Sequence, residues 1–482
     1  MRLFFVFINL FFLLSSFSSQ AALPKPHFPS SDILPSGTRV GLIAKSPSST
    51  LLGQNNDQLF PPASTLKLVT ALAAKIELGD DFRYSTQLEQ NGKDLVVRFS
   101  GDPSLTSADI SQLLKNANIS TISGDLILDS SAFTGYEKAV GWPWDILGVC
   151  YSTPSSAITL NGNCVMASIY TNADGSTRVF TPKHQPVNVS TTATAITRKQ
   201  QKEQYCDLEL TTTPANHYRL SGCLVKRDQP LPLNFAVQNA FLYASATLHQ
   251  ILDEQSIKLK GSIKLATAVT TKEQSTKKQP TQEQAKNTKV LAKHLSVPLP
   301  VLLEHMLKDS DNLYANNLTK TLGEHYFNQA GSFANGTEAI KQILNKQAKV
   351  DLSNAVLEDG SGLSRNNRVT PNQLYSVLKF IKANDHNLDF IRLMPTAGID
   401  GTLKYRSSMR KAPIKGNIVA KSGSLFATHN MAGFVLNEQG EPTTMFVQLV
   451  TDYHPQNNTS TIPPLTQFEQ AFYQNLIKAT KE

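Results

Sequence analysis

The chain has 482 residues, of which 40% are hydrophobic and 17% are charged, and its formal net charge is +8. This length exceeds what one small core needs, so the sequence predicts two or three domains. The positive charge is spread along the chain without a binding motif, which argues against nucleic acid as a partner. Neither C-x-x-C nor H-E-x-x-H occurs. We therefore expect no metal site, and we predict no cofactor.

The first 21 residues indicate a secretory signal peptide. Arg2 precedes an apolar run over residues 3–14, and Ser19-Gln20-Ala21 is a small-x-small cleavage site. The run is too short to span a bilayer comfortably as an uncleaved anchor, and no other stretch approaches that length. We therefore expect an exported, periplasmic protein that is soluble or loosely attached to the membrane and has no integral anchor.

The four cysteines are an even number in an exported chain, which indicates two disulfides. Spacing alone leaves three connectivities open. We predict the sequential pairs, Cys150–Cys164 and Cys206–Cys223, because they close the shortest loops.

Residues 38–54 predict a β-hairpin, and a helix follows from Ser64 to about residue 78, before Gly79. From about 85 to 270, short β-rich runs alternate with Gly, Pro and Asn turns. Residues 270–289 contain a single apolar residue, which is typical of a solvated linker.

The C-terminal part returns to helical patterns at residues 299–307 and after Asn312. Three β-rich runs, at 418–425, 431–436 and 443–451, then predict a meander. A final amphipathic helix presents four apolar side chains on one face: Leu465, Phe468, Phe472 and Leu476.

These elements predict a mixed α/β catalytic domain formed by residues 22–84 and 286–482. We expect the N-terminal hairpin and the C-terminal meander to share one antiparallel sheet. The inserted residues, 85–285, would form a β-rich region of two small domains, with the inner one at about 116–184.

Three short motifs occur in a fixed order: Ser64-Thr65-Leu66-Lys67, Ser310-Asp311-Asn312 and Lys421-Ser422-Gly423. They fit S-x-x-K, S-x-N and K-[TS]-G, the set found in serine enzymes that penicillin acylates. Each motif is weak alone, because a helix cap or an edge-strand lysine produces the same letters. The same short patterns recur elsewhere, at Ser275/Lys278, Ser376/Lys379, Ser408/Lys411 and Ser364-Arg365-Asn366.

The first motif pairs a nucleophile with a base. Ser64 opens a helix, whose free N–H groups favour a developing oxyanion. Lys67 lies three residues on, on the same helical face, and can take the serine proton only if its pKa is lowered toward neutrality. We expect burial beside a second cation, Lys421, to lower it.

The other two motifs would complete the site. Ser310 is expected to relay a proton between Lys67 and the leaving group, and Asn312 to bind a substrate amide. Lys421 would hold a fixed charge near the substrate carboxylate. Beside it we expect the Ser422 hydroxyl, a substrate strand lying against Gly423, and the N–H of Ser424 as the oxyanion donor that partners Ser64.

Longer runs make the pattern specific: Pro62-Ala63-Ser64-Thr65, Gly141-Trp142-Pro143-Trp144, Leu233-Asn234-Phe235-Ala236-Val237-Gln238, Asp359-Gly360-Ser361-Gly362-Leu363-Ser364-Arg365 and Ala397-Gly398-Ile399-Asp400-Gly401-Thr402-Leu403. With them, nearly the whole mature chain closely resembles the class C low-molecular-mass penicillin-binding proteins, the D-alanyl-D-alanine carboxypeptidase/endopeptidases of peptidase family S13. The resemblance implies a transpeptidase-like catalytic domain, an antiparallel sheet flanked by helices, with two small β-rich domains inserted between the first two motifs.

The resemblance also implies a reaction and its partners. Ser64 would attack the carbonyl between two D-alanines of a peptidoglycan stem peptide, or the D-Ala–diaminopimelate cross-link. Water would then hydrolyse the acyl-enzyme. β-Lactam antibiotics would be covalent inhibitors whose acyl group clears slowly.

Three positions depart from the family pattern. Ser422 replaces the usual threonine and keeps the hydroxyl, Ile146 stands where a second acidic residue is frequent, and Phe426 stands where relatives can carry a polar side chain. For the diaminopimelate side chain we therefore expect Arg365 to take the carboxylate and Asp145 the ammonium, with Tyr151 nearby.

Two other functions fit parts of the pattern. A class A-like serine β-lactamase shares the three motifs, but it needs a glutamate, usually in E-x-x-L-N, which is absent here. A non-catalytic wall-binding scaffold would not need to retain all of Ser64, Lys67, Ser310, Asn312 and Lys421.

Overall fold

The computed structural model describes residues 31–46, 49–266, 288–455 and 461–481. The signal peptide expected at 1–21 and the Ser275/Lys278 pair lie outside these residues. The α-helices described are α1 Leu66–Leu78, α2 Ser107–Asn116, α3 Arg198–Gln204, α4 Ala240–Glu254, α5 Leu299–Lys308, α6 Asn312–Phe327, α7 Phe333–Ile343, α8 Pro371–Leu388 and α9 Pro464–Lys481.

The strands comprise β1 Arg39–Lys45, β2 Thr50–Gln54, β3 Ser85–Asn91, β4 Asp94–Arg98, β5 Thr121–Ile122, β6 Leu126–Asp129, β7 Cys164–Thr171, β8 Thr177–Phe180, β9 Asn188–Thr191, β10 Thr194–Ile196, β11 Leu208–Thr212, β12 His217–Val225, β13 Leu231–Ala236, β14 Lys258–Leu259, β15 Ile263–Ala266, β16 Thr288–Leu295, β17 Ile418–Leu425, β18 Thr428–Leu436 and β19 Pro442–Thr451.

One antiparallel sheet joins the two ends of the chain, in the order β17-β18-β19-β1-β2. Strand β1 pairs with β19 in a register that sets Val40 opposite Val450 and Ile43 opposite Val447. This pairing confirms the prediction that the N-terminal hairpin and the C-terminal meander share a sheet.

The sheet is buried on both faces, which explains why its strands are nearly continuous runs of apolar residues. Alternate side chains such as Ile43 and Phe434 pack against a layer of helices that includes α1, α5, α6 and α8. Side chains of the opposite parity, such as Leu42 and Phe446, pack against Phe468, Phe472 and Leu476 of α9. The predicted apolar face of the last helix therefore covers the outer side of the sheet.

Helix α1 lies inside the helical layer. Every residue from Leu66 to Lys75 is buried, and small alanines on this helix allow its neighbours to approach closely. The helix that begins beside Ser64 is therefore held from several sides.

The inserted region has its own core. A mixed sheet of order β15-β6-β4-β3-β16 packs its apolar side chains with those of α2 and α4. Smaller sheets follow, β13-β7-β8 and β10-β12-β11, with β9 beside β12. Two disulfides, Cys150–Cys164 and Cys206–Cys223, confirm the predicted pairs.

The strand pairing favours other domain bounds than those the sequence suggests. Strand β16, which lies beyond the expected boundary at residue 285, pairs with β3. The strands of the smaller sheets fall between residues 164 and 236, whereas β5 and β6, inside the expected inner domain at 116–184, pair with β14, β4 and β15. We propose an inserted region of about 85–295 that contains an inner unit of about 164–236.

Within the described ranges, no helix combines the length and the apolar character that a membrane span requires.

Candidate active site

The residue before Ser64 has an unusual backbone. Ala63 opens a short 3₁₀ turn, Ala63–Thr65, that leads directly into α1, and its φ of 47° lies in the left-handed region that alanine rarely adopts. Gly362 packs against this turn so closely that a Cβ there would lie 1.9 Å from the carbonyl oxygen of Ala63. Such local strain is typical of functional sites, where surrounding contacts hold it in place.

Lys67 lies at the centre of the site. Its side chain is completely buried. Its Nζ donates to Ser64 Oγ at 2.9 Å, to Asn312 Oδ1 at 2.6 Å and to the carbonyl oxygen of Ser361 at 2.9 Å. These three acceptors fix the amine beside the serine hydroxyl, as the S-x-x-K spacing predicts.

Burial lowers the pKa of Lys67 to about 7, while the negative charges of Asp359 and Asp311 act in the opposite direction. The second lysine, Lys421, is also completely buried, and burial together with the charge of Lys67 lowers its pKa well below the ordinary value. Burial is thus the main cause of the shift at Lys67, and Lys421 is not among its causes. The lowered pKa of Lys421 makes its proton easier to release, which differs from the fixed charge predicted for it.

The second motif bridges the two lysines. Ser310 has a φ of 61°, and its Oγ accepts a hydrogen bond from Lys421 Nζ at 2.8 Å. Asn312 accepts from Lys67 with Oδ1 and donates with Nδ2 to the carbonyl oxygen of Tyr151 at 2.8 Å. The structure thus joins Ser310 to Lys421 rather than to Lys67, and it gives the Asn312 amide a partner within the protein.

The third motif lies on β17 and fits against the Ser64 turn. A Cβ on Gly423 would lie 2.8 Å from the carbonyl oxygen of Pro62 and 3.0 Å from the backbone nitrogen of Ser64. The glycine is therefore required by the approach of the strand to this turn, whereas the sequence suggested only contact with a substrate.

The outer edge of β17 is open beside the turn. Ala420 N donates to the carbonyl oxygen of Pro395, and the carbonyl oxygen of Ile418 accepts from Ala397 N, so the backbone groups of these residues point away from β18. Because backbone direction alternates along a strand, the N–H groups of Ser422 and Ser424 face the same outer edge. Ser424 is exposed there, and its role as an oxyanion donor stays a prediction.

A loop that the motifs do not include completes the site. The buried carboxylate of Asp359 accepts hydrogen bonds from the backbone of Gly362 and Ser364, from the side chain of Asn367 and from the indole of Trp142 at 2.8 Å. These bonds shape the turn that presents the Ser361 carbonyl to Lys67. Asp359, Ser361 and Trp142 occur in the long matching runs, but no local pattern assigns them these contacts.

Electrostatic and ring contacts connect the residues that we expect to bind the substrate side chain. Tyr151 is half exposed, and burial and the negative charge of Asp145 raise the pKa of its phenol, whereas the positive charge of Arg365 lowers it. The guanidinium of Arg365 lies 5.8 Å from the ring centre of Phe426, which is 73% exposed. Ile146 packs on a small apolar cluster with Trp142.

The competing short patterns have structural partners. Ser376 Oγ donates to the carbonyl oxygen of Asn372 within α8. Ser408 is buried and donates to Glu469 at 2.5 Å. Ser364 Oγ donates to the carbonyl oxygen of Val140. Neither Ser376 nor Ser408 has a lysine amine bonded to its hydroxyl among the described residues.

No group of three or more His, Cys, Asp or Glu side chains in the described ranges could hold a metal ion. What the site offers is a serine hydroxyl, a buried amine with a pKa near neutrality, a second hydroxyl bonded to a second amine, and two backbone N–H groups. That set suits attack on an acyl carbon.

A family model described as the D-Ala-D-Ala carboxypeptidase 3 (S13) family matches residues 34–472. The chain belongs to this family. It is 36% identical over 462 residues to the D-alanyl-D-alanine carboxypeptidase DacB of Haemophilus influenzae, with 92% of each chain covered. It is 24% identical over 429 residues to a D-alanyl-D-alanine carboxypeptidase of Actinomadura sp., with 81% of this chain and 73% of the relative covered.

Solved structures of the family agree with the fold. The crystal structure of penicillin binding protein 4 from Haemophilus influenzae has a TM-score of 0.83 and 35% identity, and the match covers 94% of this chain and 98% of that chain. A second structure of the same protein, in complex with a β-lactam, has a TM-score of 0.78, 34% identity and coverage of 92% and 98%.

Proposed function

We propose that this S13-family chain is an exported serine D-Ala-D-Ala carboxypeptidase that also cleaves D-Ala–diaminopimelate cross-links through an acyl-enzyme on Ser64. The observation that carries the proposal is the 2.9 Å hydrogen bond between Lys67 Nζ and Ser64 Oγ, made by a buried amine with a pKa of about 7. A serine hydroxyl becomes a useful nucleophile only beside such a base.

Acylation follows from these contacts. Neutral Lys67 accepts the Ser64 proton as Oγ bonds to the carbonyl carbon of the penultimate D-alanine. The N–H groups of Ser64 and Ser424 stabilise the oxyanion. When the tetrahedral intermediate collapses, the C–N bond breaks and the leaving amine takes a proton from Ser310, whose hydroxyl is bonded to Lys421. Lys421 can restore that proton because its lowered pKa makes its ammonium a stronger acid.

Deacylation reverses the roles. Water attacks the ester carbonyl, and its proton passes through Ser310 to the Lys421 amine, which acylation left neutral. The acyl–oxygen bond then breaks, and Lys67 returns its proton to Ser64 Oγ to regenerate the hydroxyl. Penicillin would acylate Ser64 in the same way because the carbonyl of its strained amide takes the place of the substrate carbonyl. Its ring amine stays attached, which hinders the approach of water and delays this second step.

We propose stem peptides of the cell wall as the substrates, and the charged residues beside the active site support this choice. In a cross-linked substrate, Arg365 would bind the carboxylate of the diaminopimelate side chain, and Asp145 would be the acid available for its ammonium. Because Ile146 and Phe426 carry no charge, we propose weaker selection for the ammonium than for the carboxylate.

The test uses fluorescent penicillin, a stem pentapeptide and purified cross-linked muropeptides. Wild-type protein should be labelled covalently, should release D-alanine from the pentapeptide and should cleave the cross-link. Ser64→Ala should lose all three activities while keeping its thermal melting temperature, and the matched control Ser376→Ala should retain them.

Each alternative gives a different result. Rapid loss of the penicillin label would favour a β-lactamase, and the absence of label and of product would favour a wall-binding scaffold. Labelling that persists in the Ser64→Ala variant would refute the assignment of the nucleophile.

A further inference from the structure

Two hydroxyls meet at the end of the open edge of β17. Ser422 Oγ and Thr402 Oγ1 are 2.7 Å apart, and neither has another hydrogen-bond partner among the described residues. Ser422 is nearly buried at 8% exposure, whereas Thr402 is exposed. Thr402 lies outside the three motifs, and its role is not evident from the local sequence.

The loop that carries Thr402 is fixed in place. Its short 3₁₀ turn, Gly401–Leu403, begins at a glycine with a φ of 51°, where a Cβ would lie 2.6 Å from the carbonyl oxygen of Lys308. Asp400 accepts from the backbone of Thr396 and pairs with Lys308 at 3.0 Å. The Thr402 hydroxyl is therefore held at a defined position relative to β17.

The same loop determines where the open edge begins. It occupies the outer edge of β17 at Ile418 and Ala420 and does not extend to the N–H groups of Ser422 and Ser424. The carbonyl oxygen of Ser422 accepts from Lys421 Nζ at 3.1 Å. In the proposed function, on which this inference rests, the scissile carbonyl lies between the N–H groups of Ser64 and Ser424. One residue of extended chain spans about 3.3 Å. The carboxylate of the leaving residue would then lie close to the Ser422 hydroxyl.

A hydroxyl has one proton, so the direction of the Thr402–Ser422 hydrogen bond matters. If Ser422 donates to Thr402, its proton is not available to a carboxylate, which can only accept. If Thr402 donates to Ser422, the proton of Ser422 is free to point into the cleft. A serine also lacks the branched Cβ that restricts the rotamers of threonine, so an external partner has more influence on its orientation.

We propose that Thr402 is a positioning residue for substrate recognition: it donates to Ser422 Oγ and thereby directs the Ser422 hydroxyl toward the carboxylate of the leaving group. In this chain, the Thr402 hydroxyl would restrict the rotamer of Ser422, as a branched Cβ would restrict a threonine at that position.

Binding to an inactive protein tests the inference without relying on turnover. In a Ser64→Ala background, calorimetry would measure the affinity of an acetylated peptide that ends in D-Ala-D-Ala and of the same peptide with a terminal carboxamide. Thr402→Val should weaken binding of the carboxylate peptide about three- to tenfold, the range for one neutral hydrogen bond, and leave the carboxamide unaffected. Thr402→Ser should restore the affinity.

Two further variants separate positioning from a general structural effect. In a Ser422→Ala background, Thr402→Val should have no additional effect, because the hydroxyl through which Thr402 acts is gone. Tyr405→Phe removes a hydroxyl from the same loop without touching Ser422, and it should leave the affinity unchanged. In the active enzyme, Thr402→Val should raise KM by the same factor and change kcat less than about twofold.

The inference is overturned if Thr402→Val leaves the carboxylate affinity unchanged, weakens both peptides equally, or weakens binding equally in the Ser422→Ala background. None of these results bears on the proposed function, whose failure would be a wild-type protein that releases no D-alanine and takes no penicillin label.

Discussion

The residue types supply the functional groups of the site, but burial lowers the pKa values of its two lysines, Lys67 and Lys421. An exposed lysine is a cation at neutral pH and cannot accept a proton. Lys67 is enclosed by α1, by α6 and by the turn that Asp359 organises, and this enclosure brings its pKa to about 7. The neighbouring acids limit the shift, so the amine is only partly neutral near pH 7.

The pH dependence of acylation should follow this balance. Since Lys67 must be neutral to act, the second-order rate constant for penicillin labelling should rise about tenfold per pH unit below pH 7 and level off above about 8. Lys67→Arg should abolish labelling, because a guanidinium stays protonated throughout this range.

Asp311→Asn provides a check on the cause. It removes a charge that raises the pKa of Lys67. The rise of the labelling rate constant with pH should therefore begin at lower pH. An asparagine also caps helices well, so the start of α6 should be preserved. A pH profile of labelling that does not shift, or that shifts to higher pH, would contradict the electrostatic account.

At the scale of elements, a disulfide lies beside the site. Cys150 begins the short 3₁₀ turn Cys150–Ser152, and the disulfide ties this turn to β7. The carbonyl oxygen of the next residue, Tyr151, accepts a hydrogen bond from Asn312, whose side-chain oxygen in turn accepts from Lys67. A covalent link within the inserted region therefore supports the amide that orients the proposed base.

The second disulfide offers a matched control. The bonds span 14 and 17 residues, so the paired variants Cys150→Ala/Cys164→Ala and Cys206→Ala/Cys223→Ala should each lose about 2–4 kcal/mol of stability. Only the first pair should also slow acylation by penicillin, because only it releases the Tyr151 turn. Denaturant titration and labelling rates would measure both effects, and equal slowing in the two variants would argue against the link.

At the scale of the whole molecule, the inserted region is fastened to the helical layer by buried polar contacts. Asn317 of α6 donates to the carbonyl oxygen of Gly101 and accepts from Ser155. Lys320, one turn further on, donates to the carbonyl oxygens of Tyr136 and Ser155, both at 2.8 Å. The helix that begins at the second motif thus also anchors the segment that carries Trp142 and Tyr151.

Lys320→Met should weaken this attachment. Both carbonyl oxygens would lose their buried donor, which should cost about 1–3 kcal/mol, and amide hydrogen exchange should increase over residues 133–157. Lys341→Met is the control, because Lys341 donates to the carbonyl oxygen of Ala355 within the catalytic part. Faster exchange in 133–157 for both variants would indicate general destabilisation.

Much of the fold could be predicted because periodicity and turn residues act over short distances. The final helix, the meander and the first helix all lie where alternation and 3.6-residue spacing indicate them. The domain bounds were harder to predict, because β16 belongs to the inserted sheet and pairs with β3, which is distant in sequence. Nothing local in its sequence identifies β3 as its partner.

By itself, the sequence indicated the helices and strands at the two ends of the chain and the presence of two disulfides, whose pairing was predicted from the shortest loops. It also placed five residues in a family pattern: Ser64, Lys67, Ser310, Asn312 and Lys421. The tertiary structure alone decided which groups meet. The amine of Lys67 reaches Asn312 across 245 positions of the chain, and Lys421 reaches Ser310 across 111. Pairings of this kind, and the burial that lowers both lysine pKa values, depend on how distant segments pack, and motif spacing does not contain that information.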